Sequence, residues 1–97
     1  MDLRKQIIKK CIKSHSKELD QGSSMVGRAQ KLEKLGRYEQ ALRNYEQAKI
    51  KFNKALIIAK FIGDTEYQAQ ANSSLDNVNS QIENLLNTDF YGGVMDN

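Results

Sequence analysis

His15 and Cys11 are the only two side chains whose types and spacing suggest reaction chemistry, and each is the sole residue of its kind in the chain. Four residues apart, they would lie one turn apart on a helix, where an imidazole could activate a thiol as a nucleophile. The pair has no partner to complete it. The sequence supplies neither a third residue at ligand spacing for a metal nor an oxyanion donor set. The reading favoured is a small buried thiol beside a boundary histidine. Gly92-Gly93 is too short for a phosphate-cradling loop and follows no strand. No catalytic residue, metal or cofactor is therefore expected, and the functional search turns to binding.

Charge is the next feature that does work. All fifteen Lys and Arg residues lie at or before Lys60, against six acids, so residues 1–60 carry a net +9. Residues 61–97 hold the other six acids and no Lys or Arg, a net −6. Two readings follow. The acidic last segment can neutralise basic helices that it packs beside, or the basic part can present a surface to an acidic partner, nucleic acid or a membrane. The first is the commoner outcome. One cysteine precludes an internal disulfide and fits a reducing, cytoplasmic setting. Apolar residues are spaced rather than clustered, so no membrane span or signal-peptide core is expected. A chain of 97 residues reads as one domain.

The elements that position these groups are helices. From Tyr38 the apolar positions run 38, 41, 45, 48, 52, 55, 59 and 62, alternating threes and fours along one stripe. Ala41, Ala48 and Ala55 recur every seven residues, where a partner helix can approach closely, with Tyr45 and Phe52 filling the space between. Gly36 and Gly63 bracket this long helix, as glycine does at helix ends. Thr65 and Gln68 have capping-box spacing and predict the start of a last helix, which aligns Tyr67, Ala71, Leu75, Val78, Ile82 and Leu85 and stops near Asn87. Residues 2–19 form an amphipathic helix with Leu3, Ile7, Ile8, Cys11, Ile12, His15 and Leu19 on one broad face. Gly22-Ser23-Ser24 predicts a break with a restart at about Met25, the alternative being a kinked continuation in which residues 2–19 extend the first bundle helix.

The expected fold is all-α: an antiparallel three-helix bundle over residues 23–87, with an additional basic helix over 1–22 and a tail or linker over 88–97.

The string A-x-x-x-E-x-x-G-x-Y-x-x-A-L-x-x-Y-x-x-A-x-x-x-F-x-x-A-L, from Ala29 to Leu56, resembles the MIT (microtubule interacting and transport) domain. The resemblance implies an antiparallel three-helix bundle that binds short helical peptides. It also implies an N-terminal adaptor role on a larger protein, such as an AAA ATPase acting on ESCRT polymers or microtubules. The family's third helix commonly carries basic residues, and residues 65–87 have none, so that groove's electrostatics do not transfer. The extension A-L-I-I-A-K-F-I-G-D is equally similar to a tetratricopeptide repeat, the near alternative. Such arrays need about three repeats for stability, more than this length holds.

One stripe is unexplained by the seam. Ile50, Ile57 and Phe61 lie roughly opposite Phe52, where a helix packed on one side should be polar. Either the N-terminal helix covers them with Ile7, Ile8 and Ile12, or they form a peptide-binding groove bordered by Val78, Ile82 and Leu86. The expected partner is a protein supplying an amphipathic helix and anchored mainly by apolar contacts. No nucleic-acid binding is expected, because Tyr38 and Tyr45 read as core residues rather than base-stacking platforms. Membrane contact through Lys5, Lys9 and Lys13 is the weaker alternative.

Overall fold

A computed structural model of the chain describes residues 2–87. The tail predicted over 88–97, with Phe90, Tyr91, Val94 and Met95, lies outside the described residues. Within them the chain is all-helical, with three helices and no strand: α1 (Leu3–Lys34), α2 (Tyr38–Ile62) and α3 (Thr65–Leu85).

The expected break at Gly22-Ser23-Ser24 does not occur, and the predicted additional N-terminal helix is the first half of α1. Asp2 caps this 32-residue helix, its side chain accepting from the Arg4 N–H at 3.0 Å. Gly22 is buried within it. A Cβ placed there would stand 2.5 Å from Cε1 of the Phe52 ring on α2. Glycine at position 22 is thus a notch in the helix surface that admits an aromatic ring. Its helix-propensity cost of about 1 kcal/mol is offset by the close approach it permits.

Both connections are short because each contains a glycine in the left-handed region. Gly36 has φ 77° and Gly63 φ 72°. At each, two backbone N–H groups fold back onto the last turn: Gly36 N to Glu33 O and Arg37 N to Leu32 O, then Gly63 N to Lys60 O and Asp64 N to Ala59 O. These bonds satisfy carbonyls that the helix end would otherwise orphan. Asp64 also caps α3, its carboxylate accepting from the Tyr67 N–H at 2.9 Å. The cap is therefore Asp64, one residue before the predicted Thr65, because Gly63 closes α2 and Asp64 is the extended residue (φ −93°, ψ 112°) that stands directly before α3.

α2 lies in the middle. α1 and α3 pack along it, and they meet each other over a much shorter stretch. The core forms where the predicted stripe of α2 faces both neighbours. Ala41, Tyr45, Ala48, Phe52, Ala55 and Ala59 are buried, together with Ala29 from α1 and Ala71, Leu75, Val78 and Leu85 from α3. Tyr38, at the start of the stripe, is exposed instead: it is the first residue of α2, and the core begins a turn later.

Candidate functional site

The pair with apparent chemistry is absorbed into packing. His15 is 1 % exposed, and its ring stacks on Tyr67 of α3 with centroids 4.6 Å apart. Its Nε2 donates to the Tyr67 carbonyl oxygen at 3.3 Å, so this histidine pins α1 to α3. Cys11, one turn away, is a half-buried free thiol. No group of three or more His, Cys, Asp or Glu side chains among the described residues is arranged to hold a metal ion.

A second polar contact joins the other end of α1 to α2. The buried Tyr45 hydroxyl donates to Glu33 Oε1. Burial first, and then the hydrogen bond and negative charge of Glu33, push the Tyr45 phenol well above its ordinary value of 10.0. The acid three residues before Gly36 is thereby a structural acceptor. Midway along the same face, Glu18 on α1 lies 3.6 Å from Lys51 Nζ on α2. That is an ion contact, too long for a hydrogen bond, and it leaves the buried Glu18 Oε1 without a donor.

The surface with binding potential is apolar. Ile50, Ile57 and Phe61 are 55 %, 66 % and 74 % exposed along the outer face of α2. Residues 2–19 do not cover them. Of the residues expected to do so, Ile8 and Ile12 are half-buried and Ile7 is itself exposed. The expected border on α3 is only partly available. Val78 is fully buried in the core, Ile82 packs against that core, and Leu86 is half-buried. The physical reason is register: Val78 and Ile82 fall on the stripe of α3 that includes Ala71 and Leu75, which faces α2's alanines rather than its isoleucines.

A cleft of about 530 Å³ opens between the start of α1 and the end of α2, lined by Leu3, Arg4, Ile7, Ile8, Phe61 and Ile62. Phe61 belongs both to this cleft and to the outer stripe. The sequence places Leu3 and Ile7 on a packed face, yet they are 71 % and 44 % exposed. The physical reason is the length that α1 gains by running through Gly22 without a break. α1 has 32 residues and α2 has 25, so the first turns of α1 run about 10 Å past its partner.

No helix among the described residues is long and apolar enough to cross a membrane. No protein-family model, curated protein or solved structure matches the chain.

Proposed function

We propose that this chain is a non-enzymatic interaction domain that binds an amphipathic helical segment of another protein along the outer face of α2. One observation carries the reading: Ile50, Ile57 and Phe61 share one helical stripe and leave more than half of each side chain's surface in water. A helix docking there would place apolar anchors at matching spacings of i, i+3 or i+4, and i+7. Glu66, Asp76 and Glu83 on α3 disfavour strongly acidic partners near that helix. Anchoring is therefore mainly apolar, and affinity depends weakly on salt. The finer form of the proposal, supported by the Ala29–Leu56 string and the three helices, is an MIT-like adaptor within a larger cytoplasmic protein such as an AAA ATPase.

Selection from a displayed library of amphipathic helical peptides tests the reading, with selected peptides titrated into isotope-labelled protein. Binding should shift the Ile50 and Ile57 methyl and Phe61 ring resonances. Ile57→Asp should abolish binding with helical circular dichroism unchanged. Peptides that map to another face, or a library that yields none, would overturn it.

A further inference from the structure

We propose that the protruding start of α1, together with Phe61, docks onto an anionic lipid surface. Three observations converge there. Leu3 and Ile7 are exposed although they belong to an amphipathic face, and Phe61 is the most exposed large apolar side chain among the described residues. These three side chains gather at one end of the molecule around an open cleft. The same end is crowded with cations: Arg4, Lys5, Lys9, Lys10 and Lys13 on α1, and Lys60 on α2. Among the described residues the acids nearby are Asp2, Asp64 and Glu66, three against six cations, and the carboxylates of Asp2 and Asp64 are turned onto backbone N–H groups as helix caps.

The arrangement of the lysines favours a surface over a peptide. Counted from Leu3 at 100° per residue, Ile7 lies at about 40°, and Lys5, Lys9 and Lys13 lie at about 200°, 240° and 280°. Lys5 and Lys9 sit across the helix from Leu3 and Ile7 and Lys13 on its flank, while Arg4, at about 100°, lines the cleft and Lys10, at about 340°, lies beside Leu3. The cations thus encircle the tip, and a peptide helix seated in the cleft would meet only Arg4 and Lys10 and leave the other three in solvent. A lipid surface into which the tip dips can be reached from all sides, because lysine stems extend along the helix and carry their charge to the headgroups. Cations near an anionic leaflet and apolar side chains below the headgroups act together in such binding.

The test uses the whole chain and vesicles of phosphatidylcholine, either alone or with about one third phosphatidylserine. The chain has no tryptophan, so Leu3→Trp introduces a single reporter, read by quenching with brominated phosphatidylcholine. Quenching is expected on the anionic vesicles, not on the neutral ones, and should be lost as salt rises severalfold. In co-sedimentation, Ile7→Asp should lower partitioning by at least about tenfold. Lys5→Glu/Lys9→Glu/Lys13→Glu should abolish it. All four of these residues are exposed, and circular dichroism confirms that each variant folds.

Equal binding to neutral vesicles, or anionic binding indifferent to Ile7→Asp or to the lysine reversals, overturns the proposal. So do anionic vesicles that leave the protein in solution. If an acidic amphipathic peptide then shifts the Leu3 and Ile7 methyl resonances, the end is a peptide site. The outcome is separable from the peptide reading of α2. Ile57→Asp should leave vesicle binding intact, and Ile7→Asp should leave binding of the selected peptides intact.

Discussion

The two faces of α2 carry apolar side chains of opposite size and opposite fate. The inner face presents Ala41, Ala48, Ala55 and Ala59, punctuated by Tyr45 and Phe52, and all six are buried. The outer face presents Ile50, Ile57 and Phe61, and all three are exposed. Transfer energy alone would bury the isoleucines first, since each removes more apolar surface from water than an alanine does. Packing decides otherwise. Alanines let neighbouring helices approach closely, so the two large rings fill what remains and Gly22 opposite accepts one of them. A row of isoleucines offers more surface but no matching recess on α1 or α3. Burial thus follows complementarity between helices, and the leftover hydrophobicity becomes available for a partner.

The sharpest way to break this contrast is to empty the inner face. Phe52→Ala should destabilise the fold by about 3–5 kcal/mol, read as a lower midpoint in urea. Ala48→Leu should cost about 1–3 kcal/mol by overpacking. An unchanged melting temperature for Ala48→Leu would mean that the inner face has room to spare and that close approach is not what distinguishes the two faces.

Gly22→Ala sharpens the comparison because two effects oppose each other. Alanine is the better helix residue by about 1 kcal/mol. Its Cβ meets the buried Phe52 ring at a distance no relaxed contact shows, so the clash should win and the variant should melt lower. In a Phe52→Ala background the ring is gone, and the same substitution should become stabilising. A double-mutant cycle measures this reversal. No change of sign would mean that Gly22 is not a notch for Phe52.

That glycine also shows where sequence reading stops. The stripe of α2 and the glycines at both turns were legible because their signals are local: periodicity within one helix, and φ preference at its ends. Gly22 next to two serines carries the same local signature as a helix break. What keeps α1 continuous is a ring thirty residues away, and no window along the chain contains both. The cap of α3 was misplaced by one residue for a related reason. Asp64 and Thr65 both have capping side chains, and the choice between them is made by where α2 ends. Periodicity gives the stripe of Val78 and Ile82 but not the partner it faces, so it suggests a groove border where the structure has core. The sequence reads Cys11 as the buried member of its pair and His15 as the boundary one, and the structure reverses them: His15 is 1 % exposed and Cys11 only half-buried, because the partner that covers His15, Tyr67, lies on another helix.

Tyr45 tests the inner face by charge instead of volume. Its phenol is held neutral above the pH at which an unfolded tyrosine ionises, near 10.0. The folded chain retains that proton longer, so its contribution is full below pH 10 and lost progressively as pH rises further. Tyr45→Phe removes the bond to Glu33 and should cost on the order of 1 kcal/mol at neutral pH. Above pH 10 the wild-type chain should lose stability more steeply than Tyr45→Phe. Parallel pH profiles would show that the hydroxyl is wetter than its burial implies.

The smallest expected effect belongs to the outer face. Ile50→Lys and Ile57→Lys replace exposed side chains that no neighbouring helix covers. Lysine is at least as good a helix former as isoleucine, and its charge stays in water. Each variant should therefore change stability by no more than about 0.5 kcal/mol, and the melting temperature of the pair should match wild type closely. A loss as large as that of Ala48→Leu would show that the stripe is already packed against something in solution. Two large isoleucines worth less to the fold than one alanine would be the strongest evidence that the outer face is kept for a purpose other than stability.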